Sequence, residues 1–163
     1  MINDERMVAF INSFDKGNTS FLNQIEKEAR ADAVPIIRTE TQTLLRFLMA
    51  AHRPMEILEV GTAVGFSALL MQEYAPAGAH VTTIEKYEKR IPIARENFKR
   101  AGKEDAITFL CGDATEILKE LQGEYDFIFM DAAKAQYIHF LPEVTRLLKK
   151  GGLLVSDNVL QDG

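Results

Sequence analysis

The residues with the clearest chemical potential lie in one short run, ILEVGTAVGFSALLM, at positions 57–71. Apolar residues around Glu59 predict a buried strand, Gly61 and Gly65 predict a turn, and the residues after Gly65 predict a helix. This order of elements opens nucleotide-binding folds, because glycines let a ligand approach the backbone and the helix start offers free N–H groups. The run therefore predicts a cofactor site, with a turn that serves only tight packing as the alternative.

The spacing of the glycines argues against a dinucleotide. Dinucleotide sites use G-x-G-x-x-G, whereas this turn reads Gly61-x-x-x-Gly65 and is preceded by Glu59. A carboxylate repels a pyrophosphate and suits a cation, such as the α-amino group of a methionine-type ligand. The pattern E-x-G-x-x-x-G resembles motif I of S-adenosylmethionine-dependent methyltransferases. A nucleotide-dependent oxidoreductase is the disfavoured alternative.

Acidic residues follow most of the predicted strands, at the edge where ligands collect in a parallel sheet. The strand HVTTIE ends at Glu85, whose carboxylate is placed to accept hydrogen bonds from two ribose hydroxyls. The next strand leads to Asp113 and Ala114, where a carboxylate and a backbone N–H suit the edge of an adenine. These positions predict a subsite for adenosine.

The last two predicted strands end in residues with hard oxygen donors. Asp131 follows one of them, and Asp157 and Asn158 follow the other. Carboxylate and amide oxygens suit Mg²⁺, which binds few protein oxygens and keeps waters for a substrate to replace. The alternatives are that Asp131 caps a following helix and that Asp157-Asn158 is a turn.

Together these motifs make the chain resemble class I methyltransferases of the cation-dependent O-methyltransferase family, which includes catechol and caffeoyl-CoA O-methyltransferases. The resemblance covers about residues 33–163 and rests on DAAKAQY (131–137) and DNVL-x-x-G (157–163). It implies S-adenosylmethionine and Mg²⁺, or a similar divalent cation, as cofactors. The AAK-x-QY variant is similar to the bacterial branch that methylates 5-hydroxyuridine at the tRNA wobble position.

The resemblance implies a role for each site residue. The metal ligands would be Asp131, Asp157 and Asn158, and the base would be Lys134. The positions expected to bind the cofactor are Ile37, Glu59, Gly61, Ser67, Glu85, Asp113, Ala114 and Asp131. A divalent cation that binds two neighbouring substrate oxygens would orient one for methyl transfer and lower its pKa. A lysine near such an ion loses its proton more easily, so it suits a base near neutral pH.

The elements that position these residues alternate from residue 56 onward. Strands are predicted at about 56–60, 80–84, 106–110, 125–130 and 152–156, and helices at about 65–74, 88–101, 114–121 and 134–149. This alternation predicts a doubly wound, mainly parallel α/β sheet covered on both faces. The resemblance implies a Rossmann-like strand order of 3-2-1-4-5. Gly102 and the pair Gly151-Gly152 are predicted to end helices.

Residues 1–51 are predicted to form a helical cap on a cofactor-binding core of residues 52–163, within a single domain. Phe10 and Phe14 belong to an apolar stripe of the first helix. Leu44 and Leu45 are expected on one side of a third helix, which runs from about residue 39 to residue 51. Pro35 predicts an extended break before that helix.

Length and composition describe one globular domain without a membrane partner. The 163 residues are 47% hydrophobic and 26% charged, and no apolar run approaches the ~18 residues of a membrane span. The acidic N-terminus does not resemble a signal peptide, and the single cysteine cannot form an internal disulfide, so we expect a cytoplasmic protein. Cys111 is expected to be a small buried residue. The net charge of −5 gives no general attraction to nucleic acid but leaves a local basic face open.

The end of the chain departs from the family pattern. Relatives continue past the fifth strand with a helix and antiparallel strands, whereas this sequence stops at Gly163. We therefore expect either a fragment of a longer protein or a protein truncated after the fifth strand. A truncated protein would have an exposed apolar edge that favours a homodimer. The expected activity is methyl transfer to one of two adjacent oxygens, on tRNA or on a catechol-like small molecule. An inactive cofactor-binding module is the alternative.

Overall fold

A computed structural model describes residues 5–132, 136–157 and 159 of the chain. Seven α-helices occur in these ranges: α1 (Glu5–Asn12), α2 (Ser20–Ala31), α3 (Thr39–His52), α4 (Phe66–Tyr74), α5 (Ile91–Arg100), α6 (Ala114–Glu120) and α7 (Tyr137–Leu147). The strands are β1 (Glu56–Val60), β2 (His80–Glu85), β3 (Ile107–Cys111), β4 (Tyr125–Met130) and β5 (Leu148–Ser156). No helix in the described ranges is both long and apolar enough to cross a bilayer.

The five strands form one parallel sheet in the order β3-β2-β1-β4-β5. The predicted fold class and strand order are therefore confirmed. The strand order reverses at β1, which pairs with β2 on one side and with β4 on the other. In sheets of this kind the crevice at the carboxyl ends of the strands, near that reversal, is where ligands bind.

Two apolar clusters cover the two faces of the sheet. Helices α2 to α5 pack against one face, and α6 and α7 pack against the other. Strand β4 supplies both clusters by alternation, because Phe127 and Phe129 face the first while Ile128 and Met130 face the second. A strand buried on both faces shows no alternation of apolar and polar residues. The unbroken apolar run FIFM (127–130) therefore predicts a buried strand.

Strand β5 begins earlier than its apolar run predicts. Helix α7 ends at Leu147, β5 starts at Leu148, and the pair Gly151-Gly152 lies inside the strand. The prediction that this pair ends a helix is wrong. The pairing between β4 and β5 shifts register between Tyr125 and Phe127, so the glycines form a bulge. A Cβ on Gly152 would lie 2.9 Å from the Asp126 carbonyl oxygen, which explains the need for glycine there.

Parts of the N-terminal helices are more exposed than their apolar pattern indicates. Phe10 and Phe14 are 60% and 70% exposed and contact each other edge-on, with ring centroids 5.0 Å apart. In α3, Leu45 is buried while Leu44 is 47% exposed, because consecutive residues point in different directions around a helix. The apolar side of α3 is therefore only partly covered by the core.

The single cysteine is also exposed, contrary to the prediction of a buried residue. Cys111 ends β3, which is an edge strand paired only with β2. The Arg95 guanidinium lies 3.2 Å from its sulfur. An apolar strand at the edge of a sheet leaves one flank open, so its apolar pattern alone did not settle the burial of this residue.

Candidate active site

The turn after β1 is held between the two neighbouring strands. The N–H groups of Gly61 and Thr62 both donate to the Ile84 carbonyl, at 3.1 Å. Gly61 has φ +108°, and a Cβ there would lie 2.2 Å from the Asp131 carbonyl oxygen. Gly65 begins α4 with φ +85°, and a Cβ there would lie 2.5 Å from the Phe98 ring. Contacts inside the protein thus require both glycines, so the glycines alone do not identify a ligand.

Glu59 lies fully buried behind this turn, at the end of a chain of hydroxyl groups. The Thr83 hydroxyl donates to Glu59 Oε2 at 2.5 Å, and Thr62 Oγ1 lies 2.5 Å from Thr83 Oγ1. Glu59 Oε1 has no hydrogen-bond partner among the described residues. A buried carboxylate oxygen without a partner is unfavourable in the protein alone and favours a donor supplied by a ligand.

Burial raises the pKa of Glu59 to about 7. The hydroxyls of Ser67 and Thr83 oppose that rise, and the negative charges of Asp131 and Glu85 add to it. The carboxyl group is therefore close to half ionised at neutral pH. A cationic group bound nearby would favour the ionised form.

Glu85 is held by backbone donors on both of its carboxylate oxygens. Oε2 accepts from the N–H of Ala63 at 2.7 Å, and Oε1 accepts from the N–H groups of Lys86 and Tyr87 at 3.0 and 2.8 Å. The positive φ of Ala63, 47°, accompanies the first of these bonds. The side chain is nearly buried and fixed in direction, and its remaining lone pairs suit hydroxyl donors.

Two adjoining cavities open at this edge of the sheet. They have volumes of about 300 and 220 Å³ and share Gly61, Glu85 and Arg90 in their linings. The larger one, which we call the inner cavity, is lined by Pro35, Ile36, Ile37, Arg38, Gly61, Thr62, Ala63, Phe66, Ser67, Glu85, Arg90, Asp131 and Asp157. The smaller one, the outer cavity, is lined by Val60, Gly61, Ile84, Glu85, Lys86, Tyr87, Arg90, Gly112, Ala114, Ala132, Gln136 and Phe140.

The predicted cofactor residues divide between these cavities. Ile37, Ser67 and Asp131 line the inner one, and Ala114 lines the outer one. Asp113 lines neither, because its carboxylate caps α6 by accepting from the Thr115 N–H at 2.8 Å. That bond, with a smaller effect of Lys86, lowers the pKa of Asp113 below its usual value. The contact predicted between Asp113 and an adenine stays a prediction.

Asp131 and Asp157 extend neighbouring strands into the inner cavity. The Asp131 N–H donates to the Val60 carbonyl, and the Asp157 N–H donates to the Met130 carbonyl, which continues the sheet ladder beyond both strands. Tyr137 Oη lies 3.1 Å from the Met130 carbonyl oxygen and 3.0 Å from that of Asp157. Burial and the charges of the two aspartates raise the pKa of Tyr137 to about 12.

Two carboxylates in one cavity fit a hard divalent cation that keeps several waters. Within the described ranges there is no group of three or more His, Cys, Asp and Glu residues arranged to hold a metal ion. Asn158, the predicted third ligand, and Lys134, the predicted base, lie outside those ranges. Asp131 is not the N-cap of α7, which begins at Tyr137 with Gln136 as its cap.

Sequence reasoning did not identify Thr62, Thr83 or Arg90. Thr83 faces Glu59 because β1 and β2 pair with these two residues in register. Arg90 lines both cavities, and its guanidinium lies 5.2 Å from the centroid of the Tyr87 ring. The available signal for Thr83 was its place in a buried strand next to the strand that carries a buried acid.

Comparison with known proteins places this chain in a family. The sequence model described as O-methyltransferase matches residues 13–163. The chain is 31% identical over 158 residues to catechol O-methyltransferase from Mycobacterium tuberculosis, which covers 95% of this chain and 72% of that protein. It is 34% identical over 123 residues to a catechol O-methyltransferase from Niastella koreensis, which covers 73% of this chain and 56% of that protein.

A solved structure agrees with these matches. The SAH-bound methyltransferase from Podospora anserina superposes with a TM-score of 0.89 at 30% identity, covering 94% of this chain and 68% of that one. The chain spans about half the length of several curated relatives that it matches, for example 52% of a caffeoyl-CoA O-methyltransferase from Stellaria longipes.

Proposed function

This chain belongs to the O-methyltransferase family, and we propose that it transfers a methyl group from S-adenosylmethionine to a hydroxyl of a substrate with adjacent oxygens. The observation that carries the proposal is the lining of the inner cavity. Gly61, Ser67 and Glu85 lie in the same cavity wall as Asp131 and Asp157. The proposed site for the methyl donor therefore lies next to the carboxylates that would bind a divalent cation.

The cofactor would run through both cavities. Its methionine part fits the inner cavity beside Ser67, where the free oxygen of Glu59 provides an acceptor for the α-amino group. Its ribose fits at Glu85, which lies between the cavities, and its adenine fits the outer cavity beside Ala114. The similar structure from Podospora anserina is SAH-bound, which supports this choice of ligand.

A divalent cation of the Mg²⁺ type would be held by Asp131 and Asp157, with Asn158 as the third ligand. Two carboxylates at the ends of adjacent strands support this choice of ligand set. When bound, such an ion lowers the pKa of a coordinated hydroxyl and orients two neighbouring oxygens. Tyr137 holds the strand ends that carry the two carboxylates at a fixed spacing.

The other proposed roles of the protein's own residues are to position the cofactor and to accept a proton from the substrate. Glu85 and the turn at Gly61 would hold the cofactor in one position, so that methyl transfer benefits from a fixed approach of the substrate oxygen. The proposed base, Lys134, takes the hydroxyl proton. Residues 35–38 form part of the wall of the inner cavity.

The decisive experiment is transfer of a tritium-labelled methyl group to catechol and to bulk tRNA, with Mg²⁺ and with EDTA. We expect Asp131→Asn to abolish transfer, while Asp105→Asn, an exposed aspartate far from the cavities in sequence, keeps it. Transfer that persists in EDTA would disprove the cation requirement. Hydride transfer from a nicotinamide instead would favour the oxidoreductase, and cofactor binding without transfer would favour an inactive module.

The second candidate substrate is 5-hydroxyuridine at the tRNA wobble position. The segment DAAKAQY, which supplies Asp131 and Tyr137 to the site, supports this candidate through its similarity to the bacterial tRNA branch. The net charge of −5 argues mildly for a small catechol-like molecule, as do the names of the relatives. Mass spectrometry of tRNA nucleosides from a deletion strain decides the question, because an unchanged 5-methoxyuridine-type pool would disprove the tRNA substrate.

A homodimer is part of the proposal. Exposed apolar side chains on and near α1 and α3 support it, and they comprise Met7, Phe10, Phe14, Leu44 and Phe47. Apolar side chains grouped in this way are typical of protein–protein contacts. Light scattering tests the assembly directly, and a monodisperse monomer at micromolar concentration would disprove it.

A further inference from the structure

Two arginines line the inner cavity without a carboxylate partner. Arg38 and Arg90 form no ion pair with any residue in the described ranges. Four other arginines of this acidic chain pair with carboxylates: the pairs are Arg30–Glu26, Arg46–Asp15, Arg100–Glu28 and Arg146–Glu143. Two cations that face a cavity without such partners are therefore available to a ligand.

The two arginines differ in their surroundings. Arg90 lies over the Tyr87 ring and lines both cavities, so it belongs to the ribose end of the site. Arg38 lines only the inner cavity, together with Asp131 and Asp157, and its side chain is exposed. Arg38 is thus the cation on the substrate side of the inner cavity.

The backbone at Arg38 is held independently of its side chain. Gln42 is buried in α3, and its Nε2 donates to the Ile37 carbonyl at 3.1 Å. Gln42 Oε1 accepts from Asn18 at 2.7 Å, which fixes the amide in turn. Arg38 itself is the N-cap of α3 and makes no side-chain capping bond. The fold therefore fixes the backbone of Arg38, while its guanidinium takes no part in capping the helix.

The charge of the filled site favours an ionised substrate hydroxyl. Three carboxylates (Glu85, Asp131, Asp157) and the two guanidiniums line the inner cavity. A divalent cation and a sulfonium cofactor of net charge +1 would leave an excess of two positive charges, or of one when the Glu59 carboxyl behind the turn is ionised. The ionised substrate hydroxyl and the Glu59 carboxylate together balance this excess. A second anionic group on the substrate would therefore be held by its local contact with Arg38 and not by the net charge of the cavity.

We propose that Arg38 is a specificity-determining residue that selects substrates carrying a carboxylate or phosphate group in addition to the reacting hydroxyl. The inference rests on the proposed function and names the substrate class for it. A guanidinium suits this task because its planar donors match the oxygens of either group. A carboxylate would belong to a catechol-type acid, and a phosphate would belong to a nucleotide.

The test compares each anionic probe with its neutral counterpart. The pairs are 3,4-dihydroxybenzoate with catechol, and 5-hydroxyuridine 5′-monophosphate with 5-hydroxyuridine. The proteins are the full chain, Arg38→Gln, Arg38→Lys and, as a control with the same loss of charge, Arg53→Gln at the far end of α3. For each combination we would measure kcat and KM, and also the Kd of the probe by calorimetry with S-adenosylhomocysteine present.

We expect Arg38→Gln to raise KM and Kd for an anionic probe about tenfold, the loss of one charged contact near solvent. The kcat values and the KM for neutral probes should not change, Arg38→Lys should restore part of the affinity, and Arg53→Gln should match the wild type. A loss of affinity for the anionic probe, but not for its neutral counterpart, supports the proposal. The pair of probes that shows this loss identifies the anionic group as a carboxylate or a phosphate.

Equal effects of Arg38→Gln on anionic and neutral probes would overturn the proposal, as would no effect in either pair. If none of the four probes is methylated, the proposed function fails for these substrates. Calorimetry then tests the role of Arg38 separately, because it measures binding of the probe and does not require methylation.

Discussion

Replacing Glu59 by glutamine should make the stability of the protein less dependent on pH. Burial raises the pKa of Glu59 from its ordinary 4.5 to about 7. Between these values the folded protein holds a proton that the unfolded chain releases. The free energy of unfolding therefore falls as the pH rises through this window, and the penalty is complete above pH 7.

The size of the effect follows from the change in pKa. A rise from 4.5 to about 7 corresponds to about 3 kcal/mol, at roughly 1.4 kcal/mol per unit. Glu59→Gln is neutral at every pH, and its amide oxygen can still accept from the Thr83 hydroxyl. The variant should therefore gain about 3 kcal/mol on the wild type between pH 4.5 and pH 8.

Urea unfolding of both proteins at pH 5, 6, 7 and 8, without cofactor, measures this gain. Other titrating groups cancel in the difference between the two proteins, and Glu88→Gln, an exposed glutamate, serves as the control. A difference that stays flat across the series would refute the reasoning. The affinity for S-adenosylhomocysteine should change in the opposite direction, rising with pH in the wild type and not in Glu59→Gln, because its α-amino group favours the ionised carboxylate.

Two further predictions concern the turn and the ribose position. Gly61 and Gly123 both have φ +108°, but only a Cβ on Gly61 meets a neighbour, so Gly61→Ala should cost about 1–3 kcal/mol more than Gly123→Ala in urea unfolding. Equal losses would mean that the contact with Asp131 relaxes freely. Glu85→Ala should weaken binding of S-adenosylhomocysteine by about 1–3 kcal/mol in calorimetry, with Glu88→Ala as the control. Unchanged affinity would remove Glu85 from the site.

The proximity of the acidic residues could be predicted from sequence, because residues that follow different strands of a parallel sheet lie close together in space. Each strand ends at the same edge, so an acid that follows a strand must lie near the others. Glu85, Asp131 and Asp157 meet in the inner cavity for this reason. Asp113 has a role that this reasoning did not include, because a residue that precedes a helix can cap it, and its contact with an adenine stays a prediction.

The local errors arose where one sequence signal fits two structures. A glycine pair after an apolar helix is the signal for a helix end, but it is also the signal for a bulge inside a strand. At Gly151-Gly152 the pairing of Leu148 with Tyr125 favours the bulge. Cys111 has an apolar strand around it, but its exposure depends on β3 being at the edge, which only the strand order determines.

The role of Thr83 could not be predicted by considering single positions of the sequence. Its role depends on standing opposite Glu59, and that depends on the register between β1 and β2, which involves residues 24 positions apart. A shift of one residue would turn Thr83 to the other face of the sheet and remove one of the two hydroxyls that lower the pKa of Glu59. The register that stabilises the sheet therefore also influences the ionisation of Glu59, and with it the proposed affinity for the cofactor.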